Sequence, residues 1–433
     1  VLFFTNDPPI DFFTKKILIY DGGFYRMPPF YLTGWSGNFE SLTYFGDIMQ
    51  FTRTLGRALP LVMATAVTSG VAFAADQSDL ENRVEALEKV QITGSYRLNY
   101  TVQDWNERQE DRGGDFRFNQ LNLGVETEKN GVRLSAQYRM YDNSNPSMIH
   151  HLYFATDIDD QSEIQVGITK VPFGIQPYES HNDWGDNALF MGFNDDYDTG
   201  IKYITQRGPL NVQVAYFSNG DTKPTDAERF SADLVSSAGQ ANEEAHQLNF
   251  HTSYKVGGSE FGASTQFTGL YNSETKQMGD AWAAAVFLNG KYDALGVQLQ
   301  AGRYEFNPEN PDGVSEDSVQ MGAFGATYQV ASKANMYVAN FHYDLPFKGG
   351  ILELVRVYTD YNLIDKDESS FKDSQIHTVG AMFVTGDLYT FVDLTSGKNA
   401  LFVGGGDYEN ALAAGDGEDK WNRFLNIQFG YYF

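Results

Sequence analysis

Phe424-Leu425-Asn426-Ile427-Gln428-Phe429-Gly430-Tyr431-Tyr432-Phe433 closes the sequence. Successive side chains of a strand point to opposite faces. Leu425, Ile427, Phe429, Tyr431 and Phe433 therefore share one face, and Asn426, Gln428 and Gly430 the other. An amphipathic strand crowded with aromatics up to its last residue fits the closing strand of a lipid-embedded β-barrel. The apolar face meets lipid, the polar face meets a wet lumen, and Phe429, Tyr431 and Phe433 sit at the membrane interface.

The rest of the chain repeats this pattern. Val132, Leu134, Ala136, Tyr138 and Met140 alternate with Arg133, Ser135, Gln137, Arg139 and Tyr141. Leu248, Phe250, Thr252 and Tyr254 alternate with Gln247, Asn249, His251 and Ser253, and Phe261, Ala263 and Phe267 oppose Gly262, Ser264 and Gln266. Short turns occur at Lys129-Asn130-Gly131, Asp159-Asp160-Gln161, Arg207-Gly208-Pro209 and Val256-Gly257-Gly258. Between them lie longer loops over 103–115, 171–198, 220–243, 307–318 and 399–420. Short turns at one end and long loops at the other are the asymmetry of an outer-membrane barrel. The segment 333–390 leaves the strand count open, because Lys348-Gly349-Gly350 and 365–374 compete to be the outer loop. The expectation is an all-β transmembrane antiparallel barrel over 90–433 with sixteen strands, eighteen being the alternative.

Composition narrows the function classes. The 433 residues include 26 Tyr, 33 Phe and 42 Gly but no Cys, which removes disulfides, zinc-thiolate sites and thiol catalysis together. The net charge of −26 argues against a nucleic-acid partner, whose phosphates need Lys and Arg. Mean hydropathy is −0.39, and no apolar run reaches the roughly eighteen residues of a membrane helix.

Ahead of the barrel, Met49, Arg53 and Arg57, the apolar run 58–67 and Ala72-Phe73-Ala74 read as a cleaved secretory signal over 49–74. Residues 1–48 precede it and read as upstream frame brought in by a wrong start, the alternative being an unusually long leader. Ser78-Asp79-Leu80-Glu81 reads as a capping box. It opens a short coiled-coil helix over 75–89, with Leu80, Val84 and Leu87 as its seam. The seam serves a homotrimer in one reading and lies on the barrel rim in the other.

With about fifteen residues between cleavage and the first strand, any filling of the lumen must come from a loop. The segment 171–198 is the candidate, since it carries Val171, Phe173, Ile175, Trp184, Phe190 and Phe193. Folded inward, it would form the pore constriction. Lys170 stands at its mouth, and Glu179, Asp183, Asp186, Asp195, Asp196 and Asp198 lie along it with no Lys or Arg. A constriction lined by these carboxylates would favour cations. Opposite it, Arg97, Arg133, Arg139 and Lys202 would form a lumen-facing basic wall, or else wall residues paired to nearby carboxylates. The acidic runs Asp195-Asp196, 365–368 and 416–419 could also gather divalent cations, but they match no calcium-loop spacing, and solvated charge without metal is the expectation.

Gly167-Ile168-Thr169-Lys170-Val171-Pro172-Phe173-Gly174 resembles the strand-to-loop motif of the phosphate-selective porin O/P family. The short coiled coil, the Tyr- and Gly-rich strands and the Gly430-Tyr431-Tyr432-Phe433 ending are also similar to that group, so the resemblance covers roughly 80–433. It implies a trimeric sixteen-stranded outer-membrane channel for small hydrophilic solutes and ions, set in lipid and lipopolysaccharide. It further implies anion chemistry based on an arginine ladder and a lysine cluster. The acidic 171–198 segment departs from that chemistry and leaves phosphate selectivity open.

An enzyme is not expected. The seven histidines include no His-Glu-x-x-His helix, and no Gly-x-Ser-x-Gly elbow is present. On a strand His150 and His151 point to opposite faces and cannot chelate one metal together. No cofactor is implied. The alternative to a channel is a structural or adhesive barrel with a plugged lumen.

Overall fold

The computed structural model describes residues 90–142, 147–182, 184–347 and 349–433. The expected leader and coiled-coil helix, and Asp183, lie outside the described residues.

Sixteen strands close into one antiparallel ring. In chain order they are β1 (Gln91–Gln103), β2 (Asp115–Lys129), β3 (Val132–Tyr141), β4 (Ser147–Asp159), β5 (Ser162–Lys170), β6 (Tyr197–Arg207), β7 (Leu210–Asn219) and β9 (Asn242–Val256). Then follow β10 (Ser259–Asn272), β11 (Met278–Tyr292), β12 (Leu295–Asn307), β15 (Lys333–Pro346), β16 (Leu354–Lys366), β17 (Ser374–Thr385), β18 (Leu388–Lys398) and β19 (Asn422–Tyr432). Three short strands stand outside the ring: β8 (Asp233–Leu234), β13 (Ser318–Ala323) and β14 (Ala326–Ala331) form a small sheet in the order β14-β13-β8.

The last strand closes the ring on the first. Ser95 opposes Tyr432 and Gln103 opposes Phe424. Beyond that register Gly94 N–H donates to the Phe433 carbonyl at 2.8 Å, and Phe433 N–H donates back to the Gly94 carbonyl at 3.0 Å. Faces follow the period of two. Phe424, Asn426, Gln428 and Tyr432 are buried inward, while Phe429, Tyr431 and Phe433 stand 37%, 51% and 49% exposed on the outside. Tyr254, Phe261, Tyr292 and Tyr343 join Tyr431 as exposed aromatics near the short-turn end. An apolar outer face of this extent is stable only against lipid.

The two ends differ as the turn chemistry implies. Asn130 (φ 55°) and Gly131 (φ 76°) form a tight hairpin of the kind that requires positive φ at both central residues. The segment 333–390 resolves into ring strands β15, β16 and β17 and the start of β18. Its 347–353 connection lies at the short-turn end and 367–373 at the long-loop end, so the two do not compete. The surplus strand pattern lies upstream, in the β13–β14 hairpin, whose edge pairs with β8 instead of the ring. A six-residue helix, α1 (Glu107–Arg112), caps the loop after β1, with Asn106 as its N-cap.

Closure yields a direct test. A Cβ at position 94 would lie 2.6 Å from the Phe433 ring and 2.7 Å from the Asn122 carbonyl oxygen. Gly94→Val is expected to destabilise the barrel by about 1–3 kcal/mol through overpacking. The urea midpoint should fall, and the heat-resistant folded band on a gel should weaken.

Candidate functional site

The segment 171–196 leaves β5 and returns to its neighbour β6, yet it contacts the far wall. Gly174 N–H donates to Ser264 Oγ of β10 at 3.0 Å, and Ile175 N–H donates to Gln300 Oε1 of β12 at 2.9 Å. Asn340 of β15 donates to the Glu179 carbonyl. Asp360 of β16 accepts from the His181 and Asn182 amides at 2.7 and 3.1 Å and from Asn182 Nδ2 at 2.8 Å. In the sixteen-strand ring β16 is eight strands from β5, which is diametrically opposite. The segment therefore spans the lumen.

Its composition explains why it folds inward. Val171, Phe173, Ile175, Trp184, Phe190, Met191 and Phe193 are all buried. Phe190 packs edge-on against Tyr328 of β14 and against Phe402, and Trp184 packs against Phe424. Burying each large apolar side chain is worth about 1.5–3 kcal/mol, so an outer loop with this sequence has reason to leave water. Gly174 has φ 59°, and a Cβ there would lie 2.5 Å from Gln300 Oε1, so only glycine permits that approach to the wall.

The segment's carboxylates are held inside protein. Glu179 accepts from Gln300 Nε2 at 2.5 Å. Burial, and then the neighbouring Asp186 charge, push its pKa well above the usual carboxylate range. Burial likewise raises Asp186 to about 6, against the Leu189 amide and Asn194 Nδ2 that favour its charge. Burial works against Asp195 too, but the Lys170 ammonium at 2.5 Å holds it ionised, below the ordinary range. Asp196 and Asp198 turn away toward Asp233 of β8.

A cavity of about 790 Å³ occupies the lumen between the short-turn rim and this segment. Gln165, Thr169, Lys170, Gln176, Tyr197, Lys202, His151 and His251 line its inner stage. Glu179, Asp186, Asp195, Asp196 and Asp198 are not among its lining residues. The described part of the lumenal segment thus meets this cavity with Gln176 and Pro177, and the hydroxyl and lysine groups beside them come from β5 and β6, where the sequence alone suggests an acidic surface.

The basic residues gather on one arc. Arg97 (β1), Arg139 (β3), Lys170 (β5) and Lys202 (β6) all face inward and are buried. The Arg97 guanidinium lies 5.4 Å from the Tyr432 ring centroid, and that of Arg139 lies 4.4 Å from that of Phe230. Lys202 Nζ donates to the Lys170 carbonyl at 2.8 Å. Arg133 also points inward but sits near the short-turn rim, tied to Asp157 at 2.8 Å and Glu163 at 2.5 Å. It does not line the cavity.

One departure from regular strand geometry enlarges this arc. The β3–β4 register shifts between Gln137 and Tyr138, leaving His150 as an extra residue in β4. A bulge of this kind re-aims side chains. His150 and His151 are both buried, with their Nδ1 atoms 2.8 Å apart, instead of pointing to opposite faces. His150 Nε2 lies 3.9 Å from Asp195 Oδ2. Tyr197, Gln165 and Thr169 complete the site and carried no signal beyond strand alternation.

A family model of phosphate-selective porins O and P matches residues 90–385. Three solved structures share the barrel. The outer-membrane channel DcaP of Acinetobacter baumannii is 12% identical with a TM-score of 0.53, covering 79% of this chain and 97% of that one. OmpT of Vibrio cholerae is 10% identical with a TM-score of 0.50 and the same coverage. OmpF of Salmonella typhi, complexed with daunomycin, is 9% identical with a TM-score of 0.50, again at 79% and 97%. Such low identities establish the fold alone. A search of curated proteins found no match.

The Glu179–Asp186 pair makes docking of the lumenal segment pH-dependent. Raised carboxyl pKa values mean that the docked segment holds protons more tightly than a released one. Docking is therefore strongest near pH 4 and weakens as pH climbs toward about 6, where Asp186 ionises. Amide hydrogen exchange over 171–196, corrected for intrinsic rate, should show protection falling across that window, and Asp186→Asn should flatten the profile.

Proposed function

The chain belongs to the family of phosphate-selective porins O and P, and from that premise we propose that its channel prefers anions and is narrowed between the 171–196 segment and the arc of Arg97, Arg139, Lys170 and Lys202. The protein is an outer-membrane channel for passive diffusion. Small hydrophilic solutes cross without cofactor or covalent step, at a rate set by width and wall charge. A homotrimer in lipid and lipopolysaccharide is part of this proposal, on the strength of the family's architecture.

One observation carries the anion preference: the cavity's inner stage has lysines and no carboxylate among its lining residues. Lys170 and Lys202 lie there, while Lys255, Glu260 and Glu126 belong to the rim, where Lys255 pairs with Glu260 at 3.7 Å. Arg97 and Arg139 stand behind this stage. Their charge reaches the lumen through protein of low dielectric, where it is screened less than in water. Asp195, Asp196 and Asp198 would set a cation preference only if the segment swung out of its docked position.

Two substitutions should move selectivity in opposite directions. A lysine facing the lumen is worth on the order of 1 kcal/mol to a passing anion. Lys202→Gln is therefore expected to lower the anion-to-cation permeability ratio about fivefold, and Asp195→Asn to raise it by releasing Lys170. The readout is the reversal potential of the purified protein in a planar bilayer under a salt gradient, repeated with added phosphate. Cation preference in the unmodified protein would overturn the reading. Absence of any conductance would favour a plugged barrel, a reading that the packing of Trp184, Phe190, Tyr328 and Phe402 within the described lumen supports.

A further inference from the structure

Behind the lumenal segment, away from the cavity, the structure collects five acidic side chains. Asp196 ends the lumenal segment, Asp198 begins β6, and Asp233 stands on β8 outside the ring. Asp221 precedes β8, and Glu244 sits at the start of β9. One guanidinium, that of Arg229, faces them. Its Nη1 donates to Asp233 Oδ2 at 2.6 Å, and its Nε lies 3.5 Å from Asp221 Oδ1. Arg229 Nη2 is used elsewhere, on Thr222 Oγ1 and the Lys223 carbonyl. Glu244 accepts from the Leu234 amide, and Gln247 Nε2 donates to Asp198 Oδ2 at 2.9 Å.

A single arginine cannot neutralise this many carboxylates out of water, because each unpaired buried charge costs several kcal/mol. Two oxygens make the imbalance concrete. Asp196 Oδ1 and Asp198 Oδ1 are buried and have no hydrogen-bond partner among the described residues, in residues only 6% and 1% exposed. Asp233 is 2% exposed. One oxygen from each of these three residues lies within 4.8 Å of the other two. Three points that close can share a centre at roughly 2.8 Å or less, near the 2.3–2.6 Å at which calcium binds oxygen. The donors are all hard oxygens, with no imidazole or sulfur, which disfavours zinc and copper.

We propose that Asp196, Asp198 and Asp233 bind one hard divalent cation of the calcium class. It would fasten two parts of the chain that no backbone ladder joins: the junction of the lumenal segment with β6, which carries Asp196 and Asp198, and the outer strand β8. The ion neutralises charge that Arg229 leaves over, and it locks the outer cover onto the segment that narrows the pore. This inference stands whether the pore selects anions or cations. The rival occupant is protons: burial, followed by the charges of Asp233 and Glu244, raises the Asp196 pKa well above the usual carboxylate range. Protons would satisfy the same oxygens two at a time, but they would not draw oxygens of the β6 junction and of β8 around one centre.

The test uses the full-length protein refolded free of lipopolysaccharide, which itself carries divalent ions. Calorimetric titration with calcium chloride should give one site per protomer, with a dissociation constant of about 10⁻⁴–10⁻³ M, as for open extracellular sites. Terbium bound there should luminesce on tyrosine excitation, since Tyr197 lies between two of the ligands in sequence. Calcium should raise the urea midpoint of the unmodified protein, and EDTA should reverse the gain. Asp198→Asn keeps the shape and the Gln247 hydrogen bond, and it should abolish binding and the calcium-dependent gain together. If that variant fails to fold, Asp196→Asn serves the same purpose. No saturable binding up to about 10 mM would overturn the proposal, as would binding retained in the variant, which would place the ion in the surface runs 365–368 or 416–419. A calcium-insensitive protein that Asp198→Asn makes more stable would identify protons as the occupant.

Discussion

A strand in lipid has no water to satisfy its backbone, so every N–H and C=O must find a partner within the protein. Closure between β1 and β19 meets that demand at the ring's seam, and the rest of the molecule depends on it. Once Gly94 and Phe433 exchange hydrogen bonds, every ring strand has two neighbours and no edge is left to solvate. The period of two then separates an outer face of Leu425, Phe429 and Tyr431 from an inner face of Asn426, Gln428 and Tyr432. The glycine at position 94 leaves room for the Phe433 ring over the seam.

A ring of sixteen strands encloses more space than its own inward side chains fill. Here the filling comes from the chain between two adjacent strands. The 171–196 segment spans the ring because the far wall offers polar anchors at the right heights, Ser264, Gln300, Asn340 and Asp360. Its apolar residues meet those of β14, β19 and the 399–421 connection to form a core inside the barrel. The segment thereby divides the lumen into a packed outer part and a cavity at the short-turn end.

Bringing an acidic segment into that interior creates an electrostatic problem with three local solutions. Asp195 takes the Lys170 ammonium. Glu179 and Asp186 lie buried together, and burial raises the pKa of each. Asp196 and Asp198 join Asp233 beside Arg229, where the charge does not balance among protein groups alone. Each solution removes a carboxylate from the cavity surface. Gln176 and Pro177 are what the described segment leaves at the cavity, beside Lys170 and Lys202 of the wall, with Glu126, Lys255 and Glu260 toward the rim.

Much of the fold was legible because its signals are local. Alternation along Phe424–Phe433 and Val132–Tyr141 assigns the faces, Asn130-Gly131 marks a hairpin, and the apolar content of 171–196 points inward, all without knowing any partner. The inward placement of Arg97, Arg133, Arg139 and Lys202 follows from the same parity. Three features were not legible, for a common reason. The bulge at His150 depends on the β3–β4 register, which a single strand does not encode. The exclusion of the β13–β14 hairpin from the ring depends on which edge it finds, and its own alternation resembles that of a ring strand. The fate of Glu179, Asp186, Asp195, Asp196 and Asp198 depends on groups up to about 120 residues away, such as Gln300, that only closure brings near. The sequence by itself determined a lipid-facing barrel with an inward-folding segment, because periodicity and apolar content act over neighbouring residues. Tertiary structure alone decided which charges meet water, because a carboxylate's environment is set by whatever the ring places beside it.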